Sequence, residues 1–352
     1  MKPALLTAAL WALAGAALAE PQDPVTALIR QQTEVFSTAS QHGDQAAMDR
    51  LLDDRVLFAS GDGAIQRDEK FDANDAVSAD LKARTQAFHS ADPGGVRAAM
   101  SGYADRAALF TDQTGAANRD SDFLRRRGDP PPQLTDWIVH HTDDVAVCSF
   151  TLHAGDAAFL AVEIWRREGP TWALVGGQAA PLYVDPPVAP VPAETLDRYA
   201  GAYSAGPGSL ATIARDGDGL TYAANGGKPS SLKPLNHDTF FGPGLPAGYA
   251  RTHTTFLRDA TGQVAGFERL GIVYRRVDPA KAAGPFTPLV LGDLKLRAFV
   301  VHRTGDVAVA AFFHDRDTPL YGQVLHQTYR SMEAWIARDG VWKMISSQGR
   351  EM

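Results

Sequence analysis

Two stretches of the chain concentrate side chains that could move protons or hold a polar ligand. The first carries Trp137, His140, His141, His153, Glu163 and Trp165, with Tyr103 and Asp122 ahead of it. The second carries His302, the run His314-Asp315-Arg316-Asp317, then His326, Tyr329, Arg330, Glu333 and Trp335. A carboxylate beside His or Tyr in an apolar pocket suits general acid–base work, because desolvation brings its pKa toward neutrality. Alternation along a strand limits these sets. His140 and His141 point to opposite faces, so at most one enters a pocket. Tyr329, Glu333 and Trp335 share one face, and His326, Arg330 and Met332 the other. The first face could form an aromatic wall with one carboxylate for a small polar or aromatic molecule. The structural alternative is that Glu333 pairs with an arginine such as Arg303 and closes the sheet, and Glu163 carries the same two readings.

Other chemistries find less support. The single cysteine, Cys148, lies in the apolar run Val145–Phe150 and reads as a small core residue; an intrachain disulfide is impossible. The cluster His314-Asp315-Arg316-Asp317 offers metal-ligand types but no His-x-x-x-His frame, so it reads as a charged, solvated hairpin, and no metal is expected. No Gly-x-Ser-x-Gly elbow, phosphate-binding glycine loop or dinucleotide fingerprint occurs, so no cofactor is expected either.

The elements that must position these residues follow from pattern. The 352 residues are 45% hydrophobic and 21% charged, a globular composition in a chain too long for one ordinary core. A net charge of −7 argues against nucleic acid as a partner. Asp54-Arg55-Val56-Leu57-Phe58, then Gly63, Arg67-Asp68 and Phe71, is echoed 51 to 52 residues later by Asp105 to Phe110, Gly115, Arg119-Asp120 and Phe123. Each copy follows a helical stretch, 24–40 with Ile29, Val35 and Phe36, and 76–90 with Val77, Leu81 and Phe88. Further on, Val139-His140-His141-Thr142 through Val147 matches Val301-His302-Arg303-Thr304 through Val309. In the same way Glu163, Trp165, Trp172 and Gln178 match Glu333, Trp335, Trp342 and Gln348, with a hairpin eight residues longer in the later copy. His302 thus repeats His140, which favours a shared structural role. Apolar–polar alternation between turns at Gly169-Pro170 and Asp339-Gly340 makes these copies strand-rich.

Helices, a short strand near an acidic residue and a glycine, then long strands carrying paired tryptophans and a final Gln resemble the SnoaL-like, nuclear-transport-factor-two-like superfamily. The resemblance implies an α+β fold: a curved antiparallel sheet wrapped on helices into a cone. Residues 76–182 supply a whole copy, 20–75 a first half without a sheet, and 285–352 a sheet without helices. Neither half can bury its own apolar face, so the two are expected to join into one discontinuous cone with the rest inserted. The alternatives are that 285–352 pairs with another chain or extends the second cone's sheet.

Between the cones, 183–192 is a proline-rich linker, and 193–278 reads as a short helix and about eight strands forming a small antiparallel β-barrel. Leu196-Asp197-Arg198-Tyr199-Ala200-Gly201-Ala202-Tyr203 with Phe256-Leu257-Arg258-Asp259 resembles the lipocalin-like accessory domain of some secreted serine hydrolases, which implies an accessory barrel and no hydrolase activity. At the start, Lys2, the apolar Leu5–Leu18 and Ala17-Leu18-Ala19 form a cleavable signal peptide, 1–19, and predict a periplasmic or extracellular protein with no transmembrane segment in the mature chain. The expected function is binding of a small apolar or amphipathic ligand in a cone, without catalysis, by residues among Tyr103, Trp137, His140, His153, Glu163, Trp165, His302, Tyr329, Glu333 and Trp335. Two alternatives stay open. One is a cofactor-independent isomerase, dehydratase or hydrolase using a His or Tyr with a carboxylate. The other is a protein-interaction module, with a homodimer formed through the outer sheet faces.

Overall fold

Helix Pro24–His42 (α1) opens with Asp23 capping Val25 N–H and ends on Gly43 in the left-handed region, where its backbone N–H returns to the last carbonyls. Helix α3 (Ala76–Ser90) is capped the same way by Asp75, which accepts from Ser78 N–H. A computed structural model describes residues 23–60, 65–91, 104–111, 117–118, 130–155, 157–182, 186–242, 252–281 and 290–352. The proposed leader and Tyr103 and Asp122 lie outside them.

After α1 come α2 (Gln45–Leu51), β1 (Leu52–Ser60) and β2 (Ile65–Gln66); after α3 come β3 (Ala104–Thr111), β4 (Ala117–Asn118), β5 (Gln133–His141), β6 (Val145–Ala154), β7 (Ala157–Glu168) and β8 (Thr171–Pro181). Strands β9 (Gly201–Ser204) to β16 (Ile272–Val277) follow, then β17 (Leu294–Thr304), β18 (Val307–Leu320), β19 (Gln323–Arg338) and β20 (Val341–Glu351). One sheet has the order β17-β18-β19-β20-β1-β2 and a second β5-β6-β7-β8-β3-β4. The first sheet therefore joins strands from both ends of the chain, and we call it, with α1 and α2, the split unit. The second sheet with α3 is the continuous unit.

The sheets are mixed rather than wholly antiparallel. β1 runs parallel to β20, with Leu57 opposite Ser346, and β3 runs parallel to β8, with Leu109 opposite Gly176. α2 passes into β1 without an intervening loop, the helix ending at Leu51 and the strand beginning at Leu52.

Each sheet is covered on both faces, which is why its strands read as nearly continuous apolar runs rather than clean alternation. One face of the split sheet packs Phe312, Trp335, Trp342 and Met344 against Ile29 of α1. The matching face of the continuous sheet packs Phe150, Trp165, Trp172 and Leu174 against Leu81 and Phe88 of α3. Val35 faces solvent instead of the core. The other two faces meet in one core that includes Val147, Val162, Ile164, Val309, Ala334 and Ile336. Gly176 is required there, since a Cβ would come within 2.9 Å of the Val309 side chain. Arg166 and Asp306 close the rim at 3.1 Å. The outer faces on which the homodimer alternative relied are thus buried against each other within one chain.

Strands β9–β16 close into an eight-stranded antiparallel barrel, β9 pairing with both β10 (Ala211–Asp216) and β16. Its interior is filled by Tyr203, Phe240, Phe256, Phe267 and Tyr274, with the Phe256 ring stacked 4.1 Å from Tyr199. The longer β18–β19 hairpin reaches this barrel and adds Leu325 to its core. Gln323 at the hairpin tip accepts from Val273 N–H at 2.9 Å and donates to the Val273 and Ala205 carbonyls. Among the described residues no helix is long and apolar enough to cross a membrane.

Candidate functional site

Helix periodicity sets Thr33 and Ser37 one turn apart on the side of α1 that faces the split sheet. Thr33 Oγ1 donates to Glu333 Oε2 at 2.6 Å, and Trp335 Nε1 donates to the same oxygen at 3.2 Å. Among the described residues Glu333 Oε1 receives no donor. Ser37 Oγ is hydrogen-bonded to His314 Nε2 at 3.0 Å. Between α1 and the sheet lies a cavity of about 410 Å³ whose wall includes Phe36, Ser37, Leu291, Leu294, His314, Arg316, Tyr329, Ser331 and Glu333. Burial pushes the Glu333 carboxyl up to about 7 against the two hydrogen bonds that favour its charged form. Burial, and then the Arg316 guanidinium, push His314 down to about 4, so its imidazole is neutral at neutral pH.

The continuous unit holds the counterpart. Thr85 and His89 lie one turn apart on α3; Thr85 Oγ1 donates to Glu163 Oε2 at 2.7 Å, as does Trp165 Nε1 at 3.0 Å. Here the other oxygen is engaged: His89 Nε2 lies 2.8 Å from Glu163 Oε1, and both side chains are buried. The neighbouring Cys148 thiol is pushed well above its ordinary pKa by burial and by Glu163, so it is unreactive core.

The residues singled out by sequence fall into three groups. Glu333, Trp335 and Tyr329 come together on the helix-covered face of the split sheet, and Glu163, Trp165 and Trp137 on that of the continuous sheet, where Trp137 Nε1 donates to Ser78 Oγ at 3.1 Å. His140 and His302 pair across their strands with Val147 and Val309, residues of the inter-sheet core, so both lie on the wrong face for either pocket. His140 instead bridges the Arg55 carbonyl and Asp72. His153 is exposed at a strand end beside Thr135.

Two expectations are corrected. Arg303 does not pair with Glu333; it donates to the Gly305 carbonyl and lies over Trp342. His314–Asp317 is not a solvated loop but part of β18, so alternation turns His314 and Arg316 into the cavity wall and leaves Asp315 to pair outward with Arg297. No group of three or more potential ligands is placed to hold a metal among the described residues.

Sequence reasoning missed Thr33, Ser37, Thr85 and His89. The signal was present: the 52-residue spacing that relates the first strands also relates Thr33 to Thr85, Phe36 to Phe88 and Asp23 to Asp75. The apolar periodicity of the helices does not reveal it.

A family model described as a domain of unknown function (DUF3471) matches residues 185–275, the barrel region. No curated protein matches the sequence. Among solved structures, a protein assigned as a ketosteroid isomerase from Parabacteroides distasonis ATCC 8503 is 15% identical, with a TM-score of 0.24 over 30% of this chain and 86% of that one. An NTF2-like protein from Cytophaga hutchinsonii ATCC 33406 is 16% identical, with a TM-score of 0.15 over 44% of this chain and 96% of that one. SurE with D-Leu is 17% identical, with a TM-score of 0.22, and the chain spans 38% of its length and is itself covered over 40%. At these scores none of the three bears on what this chain does.

Proposed function

We propose that the protein is an exported binding protein that takes a small amphipathic molecule into the Glu333 cavity, and that its two helix-and-sheet units are NTF2-like cones related by duplication. The observation that carries the binding reading is the cavity itself. It has apolar walls from Phe36, Leu291 and Leu294 and a polar end where Glu333 Oε1 takes no donor among the described residues. A buried acceptor left open on one side recognises a ligand hydroxyl or amide. The cone reading is supported by the shared strand arrangement and by the matching Thr–Glu–Trp contacts. Export rests on Lys2, the apolar run and Ala17-Leu18-Ala19; N-terminal sequencing of the mature protein should begin at Glu20, and an intact Met1 would refute it.

The test is a thermal-shift panel of sterol-like compounds, aromatic acids and lipids on the wild type and on Ser37→His, whose imidazole should fill the cavity as His89 does in the other unit. A ligand at a hundred times its Kd stabilises by about 2.7 kcal/mol. Stabilisation of the wild type that Ser37→His removes is expected. A panel without a stabiliser, or equal stabilisation of both proteins, overturns the reading.

A second reading, proton transfer on the bound molecule, is favoured by one observation: a carboxyl near neutrality and a neutral imidazole share one wall. Glu333→Gln should then abolish turnover of a stabilising compound while still binding it. Retained turnover would exclude Glu333 as the base.

A further inference from the structure

A second cavity, of about 390 Å³, lies where the barrel meets the long β18–β19 hairpin. The barrel contributes Tyr222, Arg269, Ile272 and Tyr274, and the hairpin Arg316, Leu320, Leu325 and Gln327. Its surface is mainly apolar, yet guanidinium groups enter from both sides. Arg316, which also lines the Glu333 cavity, is 5% exposed and lies 5.7 Å from the Tyr329 ring centroid; its Nε has no hydrogen-bond partner, and no carboxylate pairs with it among the described residues. The acids nearest in sequence are on the opposite side of β18 and engaged there, Asp315 with Arg297 and Asp317 with His326. Arg269 is equally buried; it lies 4.8 Å over the Tyr222 ring and donates to Thr254 Oγ1 at 2.9 Å.

Burying a guanidinium without a counter-charge is expensive, and a second cation on the same cavity raises the expense. An anion in the cavity removes both penalties, and the planar fork of arginine suits a carboxylate in particular. We propose that this junction binds an apolar monocarboxylate, its carboxylate on Arg316 and its hydrocarbon part against Ile272, Leu320 and Leu325. The hairpin is long enough to reach the barrel only in the split unit, so the site exists only because the two parts are docked.

The full mature chain is titrated calorimetrically with decanoate and, separately, with decanol. Decanoate should bind, and decanol at least about tenfold more weakly, because it lacks the charge. Arg316→Gln should weaken decanoate by about tenfold or more, and Leu320→Trp, which fills the cavity without changing charge, should do the same. Ser37→His, in the other cavity, should leave decanoate affinity within about twofold. Circular dichroism confirms that each variant is folded, and Leu320→Trp decides the matter if Arg316→Gln is not. The proposal fails if decanoate does not bind, if decanol binds as tightly, or if Arg316→Gln or Leu320→Trp, when folded, changes nothing. Loss with Ser37→His but not Leu320→Trp would put the ligand in the Glu333 cavity, sinking the junction site while leaving that cavity's own reading intact.

Discussion

The split and continuous units bury the same Thr–Glu–Trp set beneath a helix, yet one encloses an open cavity and the other a closed pair. The helix position one turn after the threonine is Ser37 in the first and His89 in the second. The sheet differs in the same sense: cross-strand partners His314 and Tyr329 stand where the continuous unit has Leu152 and Phe159. Three positions thus separate a filled carboxylate site from one that faces an open cavity. The lesson is that one scaffold sets the carboxylate, and the side chains around it decide whether it completes a core or lines an open cavity.

The largest expected effect is on the closed side. His89→Ser removes a buried ring and the partner of Glu163 Oε1, leaving that buried oxygen without its donor and a void beside it, and should cost about 4 kcal/mol. Urea unfolding at pH 7 measures it. A loss below about 1 kcal/mol, within the range of an ordinary hydrogen bond, would mean that His89 does not close the site and that the contrast between the units lies elsewhere.

The open side should show itself in pH dependence. Glu333 rises from 4.5 to about 7 on folding, so between those values the folded state holds a proton that the unfolded state has released. Stability therefore falls as pH rises through that window, by up to about 3 kcal/mol. Glu333→Gln should gain that much on the wild type between pH 4.5 and 7.5. His314 falls from 6.5 to about 4, so it acts with the opposite sign. Its contribution is full above 6.5 and lost as pH drops toward 4, so His314→Gln, which does not titrate, should gain a comparable amount on the wild type as pH falls over that range. In the native protein the two slopes oppose each other between 4.5 and 6.5. Denaturation curves for the three proteins across pH 4–8 check both signs. Parallel curves would show that neither group is held at a shifted pKa, and with that the polar end of the cavity would lose its physical basis.

How much of this was legible in the residues differs between strand and helix. That residues 20–75 and 285–352 belong together, and that Tyr329, Glu333 and Trp335 share one face, could be read because an apolar half-sheet must find a cover and because strand alternation is a rigid period of two. Thr33, Ser37 and Thr85 are not legible in the apolar periodicity of the helices, because a threonine or serine on an amphipathic helix looks the same whether it faces a buried side chain or water. His140 was overvalued for a related reason. Alternation divides side chains between two faces but does not say which face meets a helix and which meets another sheet, and here both are buried. Arg316 was misplaced because its charged neighbours suggested a solvated loop, whereas the added hairpin length is a strand drawn out to meet the barrel.

That added length is the remaining difference between the units, and the smallest test concerns it. Gln323 holds the hairpin tip to the barrel through Val273 and Ala205, three hydrogen bonds from one side chain, and Gly206 lies so close to Tyr321 that a Cβ there would come within 2.9 Å of its carbonyl oxygen. Gln323→Ala should cost about 1.5 kcal/mol, little more than one net hydrogen bond, because water replaces some of what is lost at this partly exposed position. The informative readout is hydrogen exchange at Val273, whose N–H donates to Gln323, rather than global stability: protection should fall there and stay unchanged in the continuous unit. If exchange rises equally in both units, the hairpin is not a local latch. The extra residues would then belong to the core of the split unit, and its difference from its counterpart would reduce to the side chains around Glu333.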